Sequence, residues 1–414
     1  MGSLSKIMNE EEPPGIKAIL ACCGAWYLPH TARAFHARGA LAGLWISDKN
    51  TAGIPSEKFR RCWPFRLAMQ PFYQFASEIM VERAFYALLP IWKAWVKAQP
   101  LPDCNVVHAI AAYGTELFDF ADTRAGVLRV VDCPNSHPMT AYGIWQRECD
   151  LWCPGDKVPV PQRLFARQHR ELERADLIMV PSKFCLETVV LNGIPSERVF
   201  VNPFGVDTSI FKKRTTVPDK PRFVSVGAIC LRKGHQYLFR AFERVKQELP
   251  EAELICAGQY RPDFRMERPK WVGSFTHYER MSHPELAALL QTCTAFVLPS
   301  QEEGIARAQM EAMACGLPVV GTHEGGATTV VDDGVEGFIV RGRDPAHIAQ
   351  AMLKLWRDKE MNGRMGEAAF KKGAVRNTWQ DYGDRLLARY AACFRDRNQE
   401  AAGARSKGTL QTVR

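Results

Sequence analysis

The chain has 414 residues, 46% of them hydrophobic, and a formal net charge of +9. The length predicts two domains of roughly 200 residues each, and the apolar share supports sizeable cores. Thirteen cysteines, odd in number and set mostly in apolar runs such as those holding Cys22, Cys23, Cys230, Cys256 and Cys293, exclude a disulfide framework and fit reduced thiols in a cytoplasmic protein. No run of 18 apolar residues is present, which excludes a membrane-spanning helix.

The positive charge suits anionic substrates, and it is compatible with peripheral contact at an anionic membrane surface, the inner face in a cytoplasmic setting. No nucleic-acid partner is expected. Residues 1–14 are polar, carry no signal-peptide pattern and are expected to be a disordered leader.

Strand KAILACCG (17–24) opens the folded part, followed by loop AWYLPH, a helix ending at Gly39 and strand LAGLWIS. Residues 59–99 are dense in aromatics and cations; they read either as amphipathic helix packed in the first core or as a surface for sugars or a bilayer interface. CNVVHAI (104–110), GVLRVVDC (126–133) and ADLIMVPS (175–182) read as strands, with helix KFCLETVVLNG and then VFVNPFGVD (199–207) closing the half. Residues 207–221 are the expected linker.

The alternation then restarts: strand RFVSVG (222–227), helix HQYLFRAFERVKQEL, strand AELICAG, segment KWVGSF, helix HPELAALLQTC, strand TAFVLPS, a helix, strands PVVGT and GFIV, and helix AHIAQAMLKLWRD. Strands alternating with helices predict parallel βαβ units. The final helix, about 379–397, is expected to pack back on the first domain (15–206), leaving 222–378 as the second domain and 398–414 as a disordered tail.

Residues 300–326, SQEEGIARAQMEAMACGLPVVGTHEGG, carry the sharpest signal. Glu303 and Glu311 are eight positions apart, and at roughly 100° per residue that does not put both on one helix face. Glu303 therefore belongs in the turn after strand TAFVLPS and Glu311 inside the helix, which ends at Gly316. The turn beyond a strand's carboxyl end is where open α/β sheets bind ligands. The N–H groups of Gly304, Ile305 and Ala306 are expected to hold an anion there. Two carboxylates beside an anion site suit vicinal hydroxyls plus phosphate, as in a nucleotide sugar. Glu302 is the alternative first carboxylate, with a spacing one too long.

The segments VGAICLRKGH, LICAGQ, VGSF, FVLPSQEEGIARAQMEAMACGLPVV and EGGATTVVDDGVEGFIV, with ADLIMVPSKF and PFGVDTSIF, resemble the family-4 retaining glycosyltransferases over about residues 175–355. The resemblance implies the GT-B fold, two Rossmann-like doubly wound parallel-sheet α/β domains facing across a cleft. It implies a metal-independent hexosyltransferase that takes a UDP- or GDP-linked sugar. The acceptor is expected to be a sugar, polyol or lipid-linked hydroxyl, in cell-surface polysaccharide or glycolipid synthesis. By the same resemblance Glu311 accepts from the ribose hydroxyls, Glu303 from the donor sugar, and Arg232 with Lys233 neutralises the departing diphosphate. A front-face displacement, with retention, follows from the resemblance alone.

Further expected contacts are Gly227 in the turn before Arg232, and Gly24, the single glycine where many relatives have two. Gln259 and Tyr260 after LICAG, and Ser274 and Phe275 after WVG, are expected at strand ends facing base or ribose. His137 in VVDCPNSHP is the candidate cleft histidine beside the anomeric carbon, with Asp132 and Asn135 near and His108 and His30 as weaker candidates. No metal site is expected: there is no Asp-x-Asp, and Cys133, His137, Cys149 and Cys153 have poor ligand spacing. Two other readings are a catalytically silent sugar-nucleotide or glycan-binding module and a nucleotide-sugar epimerase of the same architecture.

Overall fold

A computed structural model describes residues 15–75, 78–155, 158 and 162–411; the leader 1–14 lies outside them. The first half runs β1 (Ala18–Cys22), α1 (Leu28–His36), β2 (Leu41–Ile46), β3 (Phe59–Arg61), α2 (Trp63–Phe75), α3 (Glu78–Ala87), α4 (Leu89–Lys97), β4 (Val106–Ile110), α5 (Thr115–Asp122), β5 (Leu128–Asp132), α6 (Pro138–Trp152), α7 (Gln162–Arg174), β6 (Leu177–Val180), α8 (Lys183–Leu191) and β7 (Val199–Val201). Among the described residues these strands form a seven-stranded sheet in the order β3-β2-β1-β4-β5-β6-β7, parallel at every pairing.

The second half continues with β8 (Arg222–Val226), α9 (His235–Glu248), β9 (Glu253–Ala257), α10 (Arg268–Trp271), β10 (Thr276–Tyr278), α11 (His283–Gln291), β11 (Ala295–Leu298), α12 (Arg307–Ala314), β12 (Val319–Gly321), β13 (Gly337–Ile339), α13 (Pro345–Arg357), α14 (Lys359–Phe370) and α15 (Trp379–Gln411). Its parallel sheet has the order β10-β9-β8-β11-β12-β13.

Local chemistry explains the boundaries. The central strands are continuous apolar runs because helices cover both faces; AILAC of β1 and AFVL of β11 are buried throughout. Ser182 caps α8, Asp344 caps α13, and Ser282 with Glu285 makes a reciprocal box at α11, each satisfying helix N–H groups that lack an internal partner. Gly316, at φ +75°, ends α12 in the left-handed conformation.

The structure refines three elements of the sequence reading. KWVGSF is the end of α10 and a turn at Gly273 (φ +84°), and the strand begins only at Thr276. The 59–99 stretch is a short strand and three helices, with Phe65, Met69, Trp92 and Val96 buried but Trp63, Leu67 and Met80 exposed. Helix α15 continues past 397 to Gln411, into the expected tail, of which 412–414 lie outside the described residues; Glu400, Ala401, Ala402 and Ala404 are good helix formers, and propagation needs no new nucleus.

Helix α15 returns the chain to the first domain. Arg38 pairs with Asp384, the Tyr390 hydroxyl lies 2.7 Å from His108 Nδ1, and Gly383 packs so close to Ala34 that a Cβ would sit 2.5 Å from it. The junction therefore has two crossings, near 206 and 378, where Val206 and Thr378 bridge.

Candidate active site

The carboxyl ends of the two sheets face each other. On the second domain, Gly227 ends β8 at φ +130°. That backbone conformation favours glycine, and a Cβ there would stand 2.9 Å from Lys233 Nζ, where the lysine side chain folds over the strand end. Lys233 Nζ lies 2.8 Å from Glu303 Oε2, at ion-pair distance but off hydrogen-bond alignment. Arg232 Nη1 sits 3.5 Å from the same oxygen, 2.9 Å from Glu302 Oε2, and donates to the Glu302 carbonyl at 2.6 Å.

Arg232, Lys233 and Glu303 therefore form one cluster, as expected from a turn after β8 meeting a turn after β11. Burial alone would raise the Glu303 carboxyl, but Arg232 and Lys233 hold it down at about 2. Burial likewise opposes the Arg232 charge, and Glu303 with Glu302 more than offset it.

Glu311 stands in the second turn of α12, half-buried, and its carboxylate makes no hydrogen bond among the described residues. Burial raises its pKa, with Arg307 and His283 pulling the other way. A partly desolvated carboxylate with unused acceptor sites is what a diol would satisfy.

Other candidates lie elsewhere. His137 is fully buried as the N-cap of α6: Nδ1 accepts from Met139 N, Nε2 lies 3.0 Å from His169 Nδ1, and burial lowers its pKa to about 4. It turns into the first domain, while its neighbours Asn135, Ser136 and Pro138 line the cleft. The weaker candidates are also structural: His108 faces Asp132 and Tyr390, and His30 stacks on Trp379.

Ser274 precedes β10 and so sits at the amino-terminal edge of the sheet, opposite the ligand edge; Phe275 stacks on Phe239 at 4.4 Å. The sequence reading places the two at the far end of a strand, and they instead lie in the turn that leads into β10. Gln259 does follow the carboxyl end of β9, where its side chain donates to Glu279.

Gly304 is wedged against the first domain, where a Cβ would lie 1.9 Å from the Pro134 carbonyl oxygen and 2.6 Å from Pro181 Cγ. Ile305 and Ala306 are buried as well. The head of α12 is thus packed under the domain junction rather than open to an anion. Gly24 (φ +102°) donates its N–H to Ser47 Oγ at 2.8 Å and is covered by the ring of Trp26, which takes its place in the cleft wall.

The cleft is a cavity of about 350 Å³. The first domain contributes Trp26, Tyr86, Tyr113, Asn135, Trp145 and Phe165, among others, and the second Ala228, Cys230, Arg232, Arg261 and Glu302. Glu302 is fully buried and clamps the halves: Oε1 accepts from Ser136 N at 3.0 Å and Ser136 Oγ at 2.8 Å while Oε2 holds Arg232. A second clamp is Glu148 of α6, bonded to Gln236, Tyr237 and Arg343. Trp145 adds a 3.0 Å bond to Asp263. The sequence reading found neither clamp. Adjacency to Glu303 was the one available signal for Glu302, and nothing in the spacing of α6 singles out Glu148.

Residues 206–372 match the family model described as glycosyl transferases group 1. Similar curated proteins include a D-inositol 3-phosphate glycosyltransferase of Stackebrandtia nassauensis, 27% identical over 60% of this chain and 61% of that protein. Another, of Catenulispora acidiphila, is 30% identical over 58% of this chain and 63% of its own. The chain thus spans about three fifths of the length of such relatives. Sucrose-phosphate synthase of Thermosynechococcus elongatus superposes with a TM-score of 0.67, at 17% identity, over 92% of this chain and all of that one. Anabaena HepE, solved with UDP and glucose, gives 0.65 at 16% identity over 91% of this chain and all of its own. These likenesses establish the GT-B fold, and residues 206–372, most of its second domain, are similar to the glycosyl transferases group 1.

Proposed function

We propose that this chain is a retaining glycosyltransferase that moves a sugar from a nucleoside-diphosphate sugar to an acceptor hydroxyl. The observation that carries this reading is the cluster of Arg232, Lys233 and Glu303 at the strand ends of the second sheet, with the unpartnered carboxylate of Glu311 on the following helix. Glu311 accepts from the ribose diol. Glu303, held ionised, accepts from the donor sugar. Arg232 and Lys233 meet the charge that grows on the diphosphate as the anomeric bond lengthens. The acceptor enters from the first domain and attacks on the leaving-group face, and a phosphate oxygen takes its proton. The solved complexes of Anabaena HepE with UDP and UDP-glucose support a donor of this class.

A donor stabilises the folded state by mass action, by about 2.7 kcal/mol at a hundred times its Kd. UDP- and GDP-sugars screened by thermal shift should include one that raises the melting temperature. Glu311→Gln should reduce that donor's affinity about 10- to 100-fold, since bonds to a charged acceptor contribute roughly 1.5–3 kcal/mol. It should not lower the stability of the free protein, because it removes a desolvated charge. A melting-temperature rise equal to wild type would show that Glu311 does not touch the donor. Sugar transfer separates this reading from a silent binding module, and dependence on an acceptor separates it from an epimerase.

Similarity to D-inositol 3-phosphate glycosyltransferases makes a polyol or sugar acceptor the natural class to test. A membrane-bound acceptor is favoured by one observation: Trp63, Leu67 and Met80 are exposed in helices α2 and α3, flanked by exposed Arg60 and Arg83. An anionic bilayer complements that face, each cation contributing about 1 kcal/mol near the surface. The protein should float with phosphatidylserine vesicles at low salt, and Trp63→Ser with Leu67→Ser should weaken this several-fold. Absence of vesicle binding at low salt would remove the membrane reading.

A further inference from the structure

Resting on that reading, we infer that the acceptor is an uncharged hydroxyl compound with a flat or apolar face, and not a phosphorylated one. The cavity beside Arg232 has two chemically different walls. The first-domain wall, where an acceptor would lie, presents Trp26, Tyr86, Tyr113, Trp145 and Phe165, with Asn135, Ser136 and Gln168 as polar groups. Among the described residues no charged side chain of the first domain lines it.

The nearby first-domain cation, Arg167, lies behind that wall and is engaged. Its Nε donates to the Ala112 carbonyl at 2.8 Å, its Nη2 pairs with Glu116 at 2.7 Å, and Glu171 stands 3.2 Å from Nε. The lining charges all belong to the second domain: Arg232, already facing two carboxylates, Glu302, and Arg261, two residues beyond Gln259 on the donor side. A phosphate carried on the acceptor would lose water against aromatic rings on a wall that presents no cation, Arg232 and Arg261 lying on the opposite side, and an unpaired buried charge is costly. Rigid aromatic faces with a few amide and hydroxyl groups instead suit a neutral ring, which stacks by its apolar face while its hydroxyls find the polar groups.

Binding can be read without donor, from the change in tryptophan fluorescence as Trp26 and Trp145 are covered. Alkyl and aryl glycosides should bind, at least tenfold more tightly than the free sugar or an inositol monophosphate. Trp26→Ala, at a half-exposed position on the cleft rim, should weaken glycoside binding about tenfold without shifting donor-induced melting. In turnover, nucleotide release should be driven by the glycosides and not by the polyol phosphate.

Equal or tighter binding of the phosphate, failure of the glycosides to bind, or an unchanged affinity in Trp26→Ala would each overturn the inference. If no nucleotide sugar raises the melting temperature, the glycosyltransferase reading fails instead. If donor binds and only phosphorylated acceptors are used, the acceptor inference alone fails.

Discussion

Replacing Lys233 by alanine is expected to lower kcat about 100- to 1000-fold while changing the donor KM much less. The ammonium is brought to the strand end by Gly227, whose lack of a Cβ leaves the space it fills. In the free protein it offsets the charge of Glu303. In the reaction its larger task is the charge that develops on the leaving diphosphate, and a group whose partner gains charge in the transition state affects kcat more than ground-state binding. Loss of one such preorganised donor in a water-poor site costs roughly 2.7–4 kcal/mol of barrier. Lys233 is a cleaner test than Arg232, because Arg232 also holds Glu302 and its loss would disturb the domain junction. Single-turnover rates at saturating donor, with melting curves as a folding control, decide it. A folded Lys233→Ala protein turning over within twofold of wild type would remove Lys233 from the mechanism.

Glu302→Ala should destabilise the protein by about 3 kcal/mol. The carboxylate is fully buried and joins the Ser136 N–H and hydroxyl of one domain to the Arg232 guanidinium of the other. Removing one member of a buried ion pair costs about 3–5 kcal/mol, because the remaining charge stays desolvated. The lower end applies here, since Glu303 still faces Arg232 at 3.5 Å. Urea titration should show a lower midpoint, and Glu302→Gln, which keeps an acceptor for Ser136, should lose less than the alanine variant. A midpoint unchanged in Glu302→Ala would mean that the junction is held elsewhere, as by Glu148 and its three partners.

The pair of neighbouring glutamates shows how far spacing can be read. The resemblance, with its first carboxylate eight positions before Glu311, favours Glu303 over Glu302; in the structure Glu303 lies beside Lys233 and Glu302 points across to Ser136. His137 is the opposite case. Its place after β5 is at the ligand edge, but Pro138 starts α6 there, and the imidazole is drawn into capping duty and toward His169. Sequence cannot tell a cap from a cleft residue, since both sit at a strand-to-helix turn.

By itself the sequence determined the two-domain α/β plan, the order of strands and helices in the second half, and the turn that holds Glu303. Each is local: an apolar run, a glycine at positive φ, a capping residue, a fixed separation along one segment. Only tertiary structure decided which residues of the first domain meet them. The aromatic wall of Trp26, Tyr86, Tyr113 and Trp145, the clamps at Glu302 and Glu148, and the burial of Gly304 under Pro134 all join segments far apart in the chain. Such pairings follow from packing of one domain on another, and packing is a property of surfaces that no periodicity along the chain encodes.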